Sequence, residues 1–268
     1  MLIPFTKAHG TRNDFLLTWV SEAPGGNLEA AARAICDRHT GAGADGWILV
    51  SLTGEDPGCD AEIRLFNADG SHAEISGNGT RCAAAFLTEP GLVPSPVRIR
   101  THAGLRQLRL VSREQRLFWF EMDMGRPTWR EEEIHFRLPL RHGEREVTLL
   151  DTGNPQCAVF VKDHDFDWRA LGAEIESHAH FPNRTNVSFV RVLDEHTLDV
   201  RFFERGAGET MSSGTGSTGA VWAASLQGLV QSPVSVLTPG GPLELRWDQS
   251  IFLTGPAEIV GSGEFYFG

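Results

Sequence analysis

The chain has 268 residues, 41% of them hydrophobic and 22% charged, the balance of an ordinary globular protein rather than a disordered, fibrous or membrane chain. Asp and Glu outnumber Lys and Arg by 35 to 24, and no basic cluster offers a footprint for a phosphate backbone, so nucleic acid is excluded as a partner. No window supplies the ~18 apolar residues of a membrane span and no secretion signal opens the chain, so a cytoplasmic location with reduced cysteines (Cys36, Cys59, Cys82 and Cys157) is expected.

Short apolar or alternating runs predict strands over 15–20 and 47–52, and again over 117–120, 157–161, 187–192 and 251–254. Between them, Asn27 can cap a helix carrying Leu28, Ala31, Ala32 and Ile35 on one face, and Asp167 can cap another carrying Trp168, Leu171 and Ile175. The class is α+β. Residues 66–86 (FNADGSHAEISGNGTRCAAAF) align without a gap on 203–223 (FERGAGETMSSGTGSTGAVWA), an offset of 137, so that Ser76-Gly77-Asn78-Gly79 falls on Ser213-Gly214-Thr215-Gly216. Near that offset GTRNDFLL at 10–17 resembles TGNPQCAVF at 152–160, with Asn13 roughly answering Asn154. Two ordered matches imply a duplication into two pseudo-symmetric halves, each S-G-x-G loop opening an Ala-rich helix. The halves are expected at 1–118, with a last strand at about 261–268 returning to it, and at 119–260.

The first backbone N–H groups of a helix lack partners and carry the positive end of the dipole, so a loop without bulky side chains admits a carboxylate there. Two such loops can address opposite faces of one carbon, the requirement of a two-base racemase, which points to Ser76 and Ser213. Other motifs are weaker. GAGADG at 41–46 matches a dinucleotide fingerprint but sits in helix-turn-strand order, the reverse of what that site needs. His178 and His180 have no further ligands at metal-binding spacing, and no metal is expected.

At these residues the sequence resembles the diaminopimelate epimerase family. The segments that carry the likeness are HGTRNDF (9–15), GAGADGWILV (41–50), FNADGSHAEISGNGTRC (66–82), TGNPQC (152–157), LGAEIESHAHFPNRTNVSFV (171–190), ERGAGETMSSGTG (204–216) and LTGPAEIV (253–260). The resemblance implies two α/β halves, each a curved sheet around a central helix, a cofactor-free isomerase site between them, a place in lysine biosynthesis and a homodimer. It assigns Asn67, Asn154, Asn186, Glu204 and Arg205 to the distal amino-carboxylate of diaminopimelate, with Asn13 at a further pocket position. Gly77, Asn78, Gly214 and Thr215 take the reacting carboxylate through backbone N–H groups.

The family's two acid/base cysteines fall on Ser76 and Ser213, and a family histidine falls on Gln156. A thiol near its unperturbed ~8.5 can be tuned to neutrality, whereas a hydroxyl needs an adjacent base to take its proton. Glu204 or Glu209 is expected to serve Ser213, and His72 either serves Ser76 or is simply an exposed turn histidine. Three readings follow from that substitution: an epimerase of diaminopimelate or a similar diamino diacid, a dehydratase or other proton-shift enzyme on the same scaffold, and a non-catalytic amino-acid-binding paralogue.

Overall fold

The computed structural model describes residues 1–54, 58–73 and 76–268, and the chain divides into two units, Met1–Met122 with Gly255–Gly268 and Asp123–Thr254. The first unit begins with β1 (Leu2–Gly10) and β2 (Asn13–Trp19), followed by α1 (Leu28–Cys36). The predicted cap forms there: Asn27 Oδ1 accepts from the Ala30 N–H at 2.9 Å. β3 (Gly46–Leu52), β4 (Ala61–Asn67) and the two-residue β5 (His72–Ala73) lead into α2 (Gly77–Thr88), then β6 (Val97–Thr101), β7 (Gly104–Glu114) and β8 (Leu117–Gly125).

Pairing runs β1–β2, β2–β3, β3–β4, β4–β6, β6–β7 and β7–β8, and the chain's last strand, Ile251–Tyr266, pairs with both β8 and β1. Eight strands thereby close on themselves, which leaves no free sheet edge in the ring. α2 packs against β1, β2, β3 and β6 and is buried around nearly its whole circumference, the condition of a central helix. α1 is amphipathic instead, and its buried Ala31, Ala32, Ile35 and Cys36 meet Leu16, Trp47, Leu49 and Phe66 on the sheet. Each fully buried large apolar side chain of this kind contributes about 1.5–3 kcal/mol.

The second unit repeats the plan. It comprises β9 (Phe136–Leu140), β10 (Gly143–Asp151), β11 (Pro155–Phe160), α3 (Trp168–Glu176), β12 (Asn186–Asp194), β13 (Thr197–Glu204), β14 (Gly208–Thr210), α4 (Gly214–Leu226), β15 (Val234–Thr238), β16 (Gly241–Trp247) and the start of β17 (Ile251–Tyr266). Asp167 caps α3 as expected, accepting from the Ala170 N–H at 3.0 Å. β11–β12 and β13–β15 are parallel, as β2–β3 and β4–β6 are in the first unit, and the intervening pairs are antiparallel in both. α4 is buried all round against β10 to β13, β15 and β16, while α3 packs on the other side of β12 and β13.

The register confirms the repeat. Ala61 faces Ile99 across β4–β6, and 137 residues later Leu198 faces Val236 across β13–β15. Phe66 faces His72 just as Phe203 faces Glu209. The fold is the mixed α/β body of two similar halves that the internal echo implied, with each sheet curved around one buried helix. Most of the additional strands escape the sequence signal because their exposed faces dilute it; β7, for example, fully buries only Leu108.

Candidate active site

Both loop serines cap their helices. Ser76 Oγ accepts from the Gly79 N–H at 3.0 Å and Ser213 Oγ from the Gly216 N–H at 3.0 Å, with nearly identical backbone angles at the two caps. Ser is a favoured cap because its oxygen satisfies a donor that the helix leaves unpaired. The fourth loop position is tight in both halves: a Cβ on Gly216 would stand 2.8 Å from Phe202 Cδ1, closer than side chains approach, and one on Gly79 would stand 3.2 Å from Ile48 Cδ1, which would have to give by a few tenths of an ångström. At the second loop position a Cβ on Gly77 or Gly214 would make only ordinary contact, 3.8 Å from Met122 Cε and 3.7 Å from Leu253 Cδ1.

The two serines differ in what else they touch. Ser213 is buried, and its hydroxyl donates to Glu204 Oε1 at 2.6 Å. Glu204 ends β13, and desolvation raises its carboxyl above its ordinary value of 4.5 although the Ser213 bond pulls the other way. A carboxylate held in this way is a proton acceptor for the hydroxyl. Ser76 is half-buried, and no carboxylate bonds to it among the described residues. The residue that ends β4, equivalent to Glu204, is Asn67, an exposed amide donating to Ser71 Oγ at 2.9 Å.

Two of the expected helpers are engaged elsewhere. Glu209 holds Arg169 through two bonds of 2.5 and 2.7 Å, and His72 lies 3.3 Å from Glu29 and packs on Phe66. Glu204 is therefore the residue that meets Ser213, and no bond joins His72 to Ser76 among the described residues. Cys82 and Cys157 are fully buried, and burial pushes the Cys82 thiol up to about 12 and the Cys157 thiol higher still.

In the first unit Asn13 is clamped by Asp45, its amide donating to Oδ2 at 2.7 Å, while Asp45 also pairs with Arg38 at 2.7 Å. The GAGADG motif thus supplies the side chain that orients Asn13, a contribution that spacing alone did not reveal. Asn78 is buried and donates to Asn13 Oδ1 at 3.3 Å, and its own oxygen accepts from Arg81 Nη2 at 2.6 Å. Arg81 is wholly buried, makes no ion pair among the described residues, and leaves Nη1 without a partner. Among the described residues its guanidinium also donates from Nε to the Pro256 carbonyl at 3.1 Å.

In the second unit Asn186 is buried, donates to the Pro155 carbonyl at 3.0 Å and accepts from the Arg205 N–H at 3.0 Å. Asn154 accepts from Gln156 Nε2 at 2.7 Å, and Gln156 retains an unpartnered buried Oε1. Arg205 is exposed, donates to the Asn183 carbonyl at 3.2 Å and makes no ion pair among the described residues, so its guanidinium fork is available to an anion. Glu176, buried beneath this turn, accepts from the Gly206 N–H at 3.0 Å and fixes the loop that carries Arg205. A cavity of about 500 Å³ opens in this unit, lined in part by Asp151, Pro155, Gln156, Asn183, Arg184 and Thr185, the neighbours of Asn154 and Asn186. No group of three or more His, Cys, Asp or Glu suited to a metal occurs among the described residues, and none of their helices is long and apolar enough to cross a membrane.

The sequence model of the family "Diaminopimelate epimerase" matches residues 5–130 and 148–260. The chain belongs to the diaminopimelate epimerase family. It is 39% identical to the diaminopimelate epimerase of Pelotomaculum thermopropionicum, covering 97% of this chain and 98% of that one, and 38% identical to that of Halothermothrix orenii, covering 98% of each. The fold is shared more widely. A PhzF-family phenazine biosynthesis protein of Bacillus anthracis superposes with a TM-score of 0.71 at 16% identity over the whole of both chains. A probable proline racemase of Agrobacterium radiobacter K84 with bound carbonate also gives 0.71 at 16% identity, over 97% of this chain and 92% of that one. Within the diaminopimelate epimerase family, this member carries serine at both helix caps and glutamine at 156.

Proposed function

We propose that this chain removes and returns the α-proton of diaminopimelate or a similar diamino diacid, the substrate named for its relatives, without a cofactor. The observation that carries the reading is the 2.6 Å bond from Ser213 to Glu204 at the N-terminus of α4. In this reading the reacting carboxylate binds the backbone N–H groups of Gly77, Asn78, Gly214 and Thr215, and Arg205 takes the distal carboxylate in a bidentate grip. Asn13, Asn67, Asn154, Asn186 and Glu204 complete the pocket. The α-proton passes to Ser213 Oγ as the hydroxyl proton passes to Glu204, and the electron pair left on carbon delocalises into the substrate carboxylate. The helix dipole and the Gly216 N–H oppose charge build-up on Oγ. Ser76 is assigned the second proton transfer, as the family likeness implies.

The test is incubation with LL-diaminopimelate in D2O, following the α-proton by NMR, beside the double variant Ser76→Cys with Ser213→Cys. The parent is expected to exchange slowly and the double variant at least ~100-fold faster, the scale of a well-matched acid/base group. Calorimetry that detects no binding to either protein removes diaminopimelate as the substrate. A cytoplasmic homodimer belongs to the same reading, and a monomer's mass in sedimentation velocity would remove the dimer.

A further inference from the structure

The repeat makes the two halves comparable position by position, and at the proton-transferring serines they are not equivalent. Ser213 has a carboxylate acceptor at 2.6 Å from the last residue of β13. The corresponding last residue of β4 is Asn67, an amide that cannot accept a proton and that is turned to Ser71. The charges one turn into the helices differ as well. α2 carries the buried Arg81, bonded to Asn78 and without an acidic partner among the described residues, where the repeat places Thr218 in α4. Among the described residues, one loop is therefore equipped with a carboxylate acceptor, and the other with a buried positive charge and no bonded carboxylate.

Resting on the proton-transfer reading above, we propose that the two serines are unequal, and that this chain exchanges the α-proton of the stereoisomer presenting it to Ser213 faster than it inverts the carbon. In exchange, the C–H bond breaks toward Ser213 Oγ, the hydroxyl proton moves to Glu204, and Glu204 trades that proton with water. Reversal of the same path returns a solvent proton to the same face with retention. Inversion must also pass through Ser76. Ser76 donates its own proton to the carbanion and becomes an alkoxide, or begins as an alkoxide in the reverse direction. With no carboxylate bonded to it among the described residues, that alkoxide lies far above the thiolate that a cysteine would provide. The helix N-terminus and Arg81 lower its energy, which keeps inversion open but slow.

LL- and meso-diaminopimelate are incubated separately with the protein in D2O. Deuterium uptake is read by NMR and inversion by chiral chromatography. One isomer is expected to take up deuterium with retention at least ~10-fold faster than it inverts, a difference of about 1.4 kcal/mol in barrier. Ser213→Ala and Glu204→Gln should each slow that uptake by ~100-fold or more, whereas Ser76→Ala should depress inversion more than uptake. Circular dichroism of each variant checks that it is folded. Equal uptake into both isomers, inversion keeping pace with uptake, or Ser76→Ala stopping uptake as strongly as Ser213→Ala overturns the inequality and leaves the substrate reading in place. No uptake into either isomer also overturns it, and calorimetry then separates the cases: bound ligand keeps the substrate assignment, and absent binding removes it.

Discussion

Glu204 concentrates the opposing demands on this site. Its carboxylate is the proton acceptor of Ser213, yet desolvation raises its pKa above the ordinary 4.5, so the folded protein holds a proton there more tightly than the unfolded chain does. Between the unfolded and folded values the native state binds more protons, and stability falls as pH rises through that window. Glu204→Gln is therefore expected to be more stable than the parent above the window, the gain shrinking to nothing as pH is lowered to about 4.5, which denaturant unfolding across pH measures. The same ionisation governs the parent's proton transfer, which should decline as pH drops through the raised value. Ser76, Ser213, Glu204 and Arg205 were all legible in the sequence through the echo and the family likeness. Asp45, Arg81 and Glu176 were not, because what they do depends on partners that spacing does not name: Asp45 reaches back to Asn13, and Glu176 forward to Gly206.

At the scale of elements, local chemistry predicted best where one residue closes one turn. The caps at Asn27 and Asp167 and the serine caps of α2 and α4 each accept from the N–H three residues on, a contact made within the segment itself. Removing such a cap costs about 1 kcal/mol. Asn27→Ala is accordingly expected to lower Tm by roughly 2–4 °C by calorimetry, with no effect on ligand binding, since α1 carries none of the candidate site residues. The strand predictions succeeded at β2, β3, β11 and β12, whose buried runs are continuous, and stopped short at β8 and β17. β17 runs 16 residues, and beyond Ile259 its burial gives way to half-exposed and exposed positions, so the apolar signal fades before the strand ends.

For the whole molecule, the duplication is the organising fact. Two units of like topology each wrap a sheet around one helix and bring one capped S-G-x-G loop, and the net charge of −11 leaves Arg205 as a locally available cation rather than part of a basic surface. A ligand with two amino-carboxylate ends should stabilise the native protein through both. Saturating diaminopimelate at about 100 times its Kd is expected to add about 2.7 kcal/mol, seen as a rise in Tm, whereas lysine, which lacks the distal carboxylate, should give no shift at the same concentration. An equal shift with lysine would remove Arg205 as the distal anchor. The sequence by itself determined the family, the repeat and its offset, the helix starts and the serines at 76 and 213, because these are carried by residue identity and by contacts within a few positions. Only the tertiary structure decided that Glu204 rather than Glu209 meets Ser213, that His72 turns to Glu29, and that Ser76 has no carboxylate bonded to it among the described residues. Those outcomes depend on which side chains the sheets bring within hydrogen-bond reach, and residues 9 to 43 positions apart in the chain carry no local sign of it.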